Sequence, residues 1–246
     1  MKRYTKKYSL KIYEVNCFGK LKLLSLFNLL QEVASEHADI LGMGYQACLK
    51  AGVAWVAASY RVDIHQLPHM GQNLTIETWI ADLNAVVSQR CYRIKDEAGH
   101  ILIEGMTNWA LISATTLRPV IITKNLAIDV NQIDGEKLVF SSDKIRLQPP
   151  EKTDAEYHFT SRFDEMDTNF HINNAIYPTW AAESLPPKWQ ETKVPTCIQI
   201  NFKAPTKAFE KIDITTQISD EETLHKIAVG DETKALVKIN WQPKNS

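Results

Sequence analysis

Cysteine pairs, glycine-rich stretches and long apolar runs are all missing from this chain, and each absence removes a class of protein. The four cysteines, Cys17, Cys48, Cys91 and Cys197, are widely scattered, with no C-x-x-C pair and no zinc-like spacing. They read as reduced, buried thiols. Only 9 Gly and 10 Pro occur in 246 residues, with no biased tract, so collagen-like and low-complexity architectures are excluded. The longest apolar-rich stretch, Leu21 to Leu30, is broken by Lys22, Ser25 and Asn28 and is too short to span a bilayer. A net charge of −1 supplies no global positive field, which argues against nucleic-acid binding. The basic start Met1-Lys2-Arg3-Tyr4-Thr5-Lys6-Lys7 runs into alternating, strand-like residues rather than the apolar core of a signal peptide, so a cytoplasmic location is expected.

Whole mechanisms are absent too. There is no G-x-S-x-G elbow and no Walker-type phosphate loop. Gly42-Met43-Gly44-Tyr45-Gln46-Ala47 matches the loose G-x-G-x-x-A pattern, but it follows a helical pattern where a dinucleotide fingerprint needs a strand. It reads as a helix terminator and turn. No cofactor is expected.

What is present is an internal repeat. An offset of 151 lays Lys11-Ile12 on Arg162-Phe163, Glu14 on Glu165, Leu21 on Ile172, Leu26 on Tyr177 and Glu32 on Glu183. An offset of 138 then lays Tyr60, Val62 and Ile64 on Ile198, Ile200 and Phe202, and Leu74-Thr75-Ile76 on Ile212-Asp213-Ile214. Asn108-Trp109 finally matches Asn240-Trp241. The falling offset means that the second copy has lost residues in its loops and after its first helix.

In the first copy the order is a strand (about 7 to 13), a loop, a long helix and then strands. Leu23, Leu26, Phe27, Leu30, Val33, Ala34 and Ala38 recur at intervals of three and four, one face of a helix that Gly42 can stop. Alternating runs follow at 55–64, 73–83, 86–95 and 101–113, the last two joined by a hairpin around Asp96-Glu97-Ala98-Gly99. The second copy repeats this with a strand at 157–163, a helix at about 174–184 ended by Pro186-Pro187, and strands near 196–204, 211–219, 224–229 and 233–242. The expected division is 1–130, a linker over 131–156 containing Pro149-Pro150, and 157–246.

Polar residues concentrate in the loop entering the second-copy helix. Asp167, Asn169 and His171 alternate, so in an extended chain their side chains project to one side. Asn173 or Asn174 can cap the following helix, whose free first-turn N–H groups suit a developing oxyanion. Asp and Asn are also ordinary loop residues, and residue types alone fit a plain capping loop as well. The repeat shifts the balance: the first copy carries Asn16, Phe18 and Lys20 at these places although its framework agrees. A loop needed only as a cap should look alike in both copies. Asp164, Asp167 and His171 also include metal-ligand types, but no fourth ligand lies near, so no metal is expected.

The string from Arg162 to Tyr177, RFDEMDTNFHINNAIY, followed by Trp180 and Glu183-Ser184, resembles the signature of the acyl-acyl carrier protein thioesterases. Gly52-Val53-Ala54-Trp55-Val56 and Tyr60-Arg61-Val62 are similar to that family's first-half strand entry, so the resemblance spans nearly the whole chain. It implies an α+β fold of tandem hot-dog domains, each a long helix wrapped by an antiparallel β-sheet. It implies an acyl-chain-binding first half, a catalytic second half bearing Asp167, Asn169 and His171, and hydrolysis of fatty acyl-carrier-protein thioesters. Two departures stand out: Ile200-Asn201-Phe202-Lys203-Ala204-Pro205 lacks the Glu credited to plant members, and Pro178 falls where it would strain the helix start.

Whether Asp167 activates water or attacks directly, and how His171 shares the work, is left open by the residues. The carrier protein is acidic, which points to Arg162, Lys188, Lys203 and Lys207 as docking candidates, against the plainer reading of solvated side chains. An acyl-coenzyme A thioesterase of the same fold, a non-catalytic acyl- or carrier-binding module, and association into a homodimer are kept as alternatives.

Overall fold

The computed structural model describes residues 1–140 and 146–244. They form two compact units, one from Met1–Ala58 and the chain from His65 to Phe140, the other from Ser59–Ile64 and the chain from Arg146 on.

In the first unit β1 (Arg3–Ser9), β3 (Asn73–Leu83), β4 (Val87–Lys95), β5 (Ile101–Ser113) and β2 (Val53–Ile64, of which Val53–Ala58 belong here) lie side by side. The strands β3 and β5 begin and end where the alternation of apolar residues predicts. Against β1 and β3 packs α1 (Leu23–Ile40), which buries Leu26, Leu30, Val33 and His37 along one stripe with Phe27 and Ala34 beside it. Gly42, at φ 71°, ends α1 as expected. The reading of 42–47 as a turn is incomplete, because Gly44 opens a second helix, α2 (Tyr45–Ala51). A side chain at Gly44 would fall 1.8 Å from Asp39 Oδ1 and 2.9 Å from the Asp39 backbone nitrogen, so glycine is required by space there. A short α3 (Ile122–Asn125) places Ile122 in one core with Met43, Cys48, Val53, Ile80, Leu111 and Leu126.

Part of the stretch read as a linker belongs to this unit. Arg3 binds Asp134 at 3.0 Å, lies 4.0 Å over the Trp79 ring and also pairs with Glu136, whose carbonyl accepts from Trp79 Nε1 at 2.7 Å. Of the rest of the 131–156 stretch, 141–145 lie outside the described residues.

In the second unit the Ser59–Ile64 part of β2 pairs with β7 (Lys193–Phe202), followed by β10 (Glu232–Pro243), β9 (Glu222–Val229), β8 (Lys211–Ile218) and β6 (Ala155–Thr160), all antiparallel. Fully buried Ile198, Ile200, Ile212, Ile214, Ile227, Val237 and Ile239 form its core. The helix expected from about 174 is α4 (Tyr177–Glu183), three residues later, and it packs on β10. Pro178 sits in its first turn, where no intrahelical N–H is required, so the expected strain does not arise. Pro186-Pro187 does not end that helix but starts another, α5 (Pro187–Thr192). Both first strands also stop early, because 12–14 and 163–165 are 3-10 turns. The thiols are free, and Cys17 is exposed rather than buried.

Each unit holds a buried histidine between helix and sheet. His37 Nδ1 accepts from Arg90 at 2.9 Å, so its Nε2–H donates to the Met1 carbonyl at 3.0 Å. His225 lies between Thr216 Oγ1 (2.9 Å), Ser184 Oγ (3.2 Å) and Thr223 Oγ1 (2.9 Å). Burial, assisted by the Arg90 charge, lowers the His37 pKa to about 4, and burial alone lowers that of His225 to about 3. Both folded values lie below the unfolded one, near 6.5, so stability is intact above 6.5 and falls as pH drops beneath it. Each ring contributes up to about 1.4 kcal/mol per pH unit of loss until its folded pKa is reached. Urea unfolding measured between pH 7 and pH 4.5 should show this decline; a flat curve would contradict the neutral, buried assignment.

Candidate functional site

The site is organised around Glu165. Its Oε2 accepts from the Arg162 backbone N–H at 2.7 Å, closing the 3-10 turn, and its Oε1 accepts from Trp180 Nε1 of α4 at 3.1 Å. Its carbonyl accepts from Asn173 N–H at 2.8 Å. The turn, the helix and the returning chain are thereby joined at one residue. Between them Met166 bridges Ile172, and Asp167 N–H donates to the His171 carbonyl at 2.8 Å.

This geometry corrects the extended-chain expectation. Residues 167–170 make a tight turn, with Phe170 N–H donating to the Asp167 carbonyl at 3.1 Å. Asp167 and His171 are therefore paired across its neck, both half-buried, while Asn169 lies exposed in the turn with its N–H on Asp167 Oδ1 at 2.8 Å. Asn173 does not cap α4; its Oδ1 accepts from Ala175 N–H at 2.9 Å and its carbonyl from Ile176, forming a separate turn through Asn174 before the helix. The returning chain is held from outside by Ile172 N–H to the Thr206 carbonyl (2.8 Å), and Tyr177 O–H donates to Thr206 Oγ1 (2.8 Å). Burial pushes the Tyr177 phenol up to about 12, so it remains a neutral donor.

The first unit builds the same loop on the same backbone bonds. Glu14 accepts from Lys11 N–H (2.7 Å) and from an aromatic donor, Tyr8 O–H (2.7 Å). Asn16 N–H meets the Lys20 carbonyl (2.8 Å), Phe18 N–H meets Asn16 Oδ1 (3.0 Å), and Leu21 N–H meets the Pro68 carbonyl (2.8 Å). Gly19 (φ 69°) and Phe170 (φ 60°) share one left-handed position, which costs a side-chain-bearing residue about 1–2 kcal/mol. The turn thus needs a side-chain oxygen at 16 or 167, and either Asn or Asp supplies it. Carboxylate and imidazole together occur only in the second copy.

Of the docking candidates, Arg162, Lys203 and Lys207 are exposed on two loops tied together by Ser161, whose Oγ donates to the Lys207 carbonyl at 2.7 Å. Lys188, also exposed, is on α5 beside the start of β7, whereas Lys203 follows its end. In the segment without a Glu, Asn201 is buried and its Oδ1 accepts from Leu147 N–H at 2.7 Å. Glu165, Tyr177 and Thr206 are site residues that the polar clustering at 167–174 does not reveal; the pairing of Glu14 with Glu165 in the repeat is the signal that the sequence offers. Among the described residues no group of three or more His, Cys, Asp or Glu is placed to hold a metal ion.

Residues 1–129 match the acyl-ACP thioesterase N-terminal domain and residues 148–243 the acyl-ACP thioesterase C-terminal domain. The chain belongs to the acyl-ACP thioesterase family. Oleoyl-acyl carrier protein thioesterase 2, chloroplastic, of Arabidopsis thaliana is 26% identical over 91% of this chain and 65% of its own length. Palmitoyl-acyl carrier protein thioesterase, chloroplastic, of Cuphea hookeriana is 24% identical over 98% of this chain and 63% of its own. The chain thus spans less than two thirds of these relatives. The crystal structure of an acyl-ACP thioesterase from Bacteroides thetaiotaomicron aligns with TM-score 0.89 at 18% identity, over 98% of each chain. The 12:0-ACP thioesterase from Umbellularia californica aligns with TM-score 0.82 at 20% identity, over 99% of this chain and 98% of that one. These likenesses establish the tandem hot-dog fold. No helix among the described residues is long and apolar enough to cross a membrane.

Glu165→Ala removes two side-chain acceptors and strands the Trp180 indole N–H, a loss of about 1–3 kcal/mol. Urea unfolding followed by tryptophan fluorescence measures it, and an unshifted midpoint would refute the organising role of Glu165.

Proposed function

We propose that this protein hydrolyses fatty acyl-acyl carrier protein thioesters to free fatty acid and carrier protein, at one site in its second unit, with the first unit holding the acyl chain. One observation carries the reading: two loops share a backbone bond pattern, and only in the second does the bond across the neck, Asp167 N–H to the His171 carbonyl, join a carboxylate-bearing residue to an imidazole-bearing one. Water adds to the thioester carbonyl, the C–S bond breaks, and the carrier leaves as a thiol while the acyl group becomes a carboxylic acid. Asp167 and His171 supply the base and the proton transfer. Asn169, with the turn through Asn173 and Asn174, offers donors to the carbonyl oxygen as it gains charge. A cytoplasmic location is part of the same proposal, although the two plant relatives are chloroplastic by name.

The absence of a carboxylate from 200–205 favours a second reading, an acyl- or carrier-binding module without turnover. Fatty acid release from a panel of acyl carrier protein thioesters decides between them, and the same acyl group on coenzyme A tests the choice of thiol. Asp167→Asn keeps the turn, as Asn16 does, so its thermal midpoint should match wild type while turnover falls about 10²- to 10⁴-fold. His171→Ala should show a comparable loss. Near-wild-type turnover by both variants would end the assignment.

A further inference from the structure

The two copies of the fold differ at a second pair of places. Gly71 N–H donates to the Leu10 carbonyl (3.2 Å) and Leu10 N–H to the Gln72 carbonyl (3.0 Å). In the second unit Phe209 N–H donates to the Ser161 carbonyl (3.0 Å) and Ser161 N–H to the Glu210 carbonyl (3.0 Å). Gly71 (φ 75°) and Phe209 (φ 65°) therefore occupy one left-handed position, as Gly19 and Phe170 do. At both positions where the first unit uses glycine, the second uses phenylalanine. Neither ring is packed away, with Phe170 78% and Phe209 71% exposed. A bulky residue in a left-handed backbone is unfavourable, and here burial within the unit does not offset it.

The surroundings indicate what does. Phe170 separates Asn169 from His171, so a partner bringing a thioester to Asp167 and His171 arrives beside this ring. The loop of Phe209 is bonded to that of Phe170 through Ile172 N–H and the Thr206 carbonyl (2.8 Å). On these two loops Arg162, Lys203 and Lys207 are exposed, with Lys211 exposed at the start of β8, against a single exposed loop carboxylate, Asp164. Glu165 and Glu210 are half-buried, each accepting from a backbone N–H. Aromatic anchors ringed by cations suit a protein of net negative charge.

We propose that Phe170 and Phe209 are paired aromatic anchors that dock the acidic acyl carrier protein on the loop edge of the second unit. This rests on the proposed function for the identity of the partner. The test is titration of holo-acyl carrier protein onto wild type and the Phe170→Gly/Phe209→Gly variant by calorimetry, with thermal melting alongside. The variant should melt at or above the wild-type temperature, since glycine relieves the backbone, while its affinity for the carrier falls tenfold or more. Affinity equal to wild type would overturn the proposal, as would absence of carrier binding by wild type. Self-association of wild type that is lost in the variant, with carrier affinity unchanged, would assign the rings to a dimer contact and also overturn it. Carrier binding through the two rings in a protein that releases no fatty acid would sink the hydrolytic reading and leave the docking site standing.

Discussion

Two carboxylates, Glu14 and Glu165, each accept the backbone N–H three residues earlier and an aromatic donor, and the loops of both units hang from these contacts. A carboxylate bonded to two donors, buried at Glu14 and half-buried at Glu165, is among the stronger local constraints available to a chain. Its consequence is positional. Once Glu165 fixes the 3-10 turn and Asn173, the intervening residues must return within a short bridge, and Asp167 meets His171 across it.

That constraint separates architecture from chemistry at a single position. An oxygen is needed at 16 or 167 to receive the N–H two residues on, and the first unit meets the need with an amide. The second unit meets it with the carboxylate of Asp167. Across the neck Lys20 is replaced by His171. One loop geometry thus carries Asp and His in one unit and Asn and Lys in the other.

The interiors show a comparable economy. His37 reaches from the helix toward Arg90, which also donates to Thr78, and His225 reaches from the sheet toward Ser184 and Thr216. In each unit a neutral imidazole adds a partner to buried hydroxyl or guanidinium groups. These polar contacts set how helix and sheet meet, and in the second unit that helix carries the Trp180 indole bonded to Glu165.

By itself the sequence determined the repeat, the long helix from Leu23 to Ile40 and most strands, because alternation and three-four spacing persist over enough residues to be read locally. The resemblance carried by Arg162 to Tyr177 led to the family. Three short helices were illegible: α2 and α5 span fewer than two turns around Gly44 and Pro187, and α3 is a single turn. Only the tertiary structure decided that 167–171 is a turn and not an extended strand, since the residues flanking it, Glu165 and Ile172, are held by Trp180 of the helix and by Thr206 of a distant loop. The same holds for the exposed rings of Phe170 and Phe209. A sequence lists two phenylalanines, but their left-handed backbones, and the glycines they replace, become visible only when the two loops can be laid over each other in space.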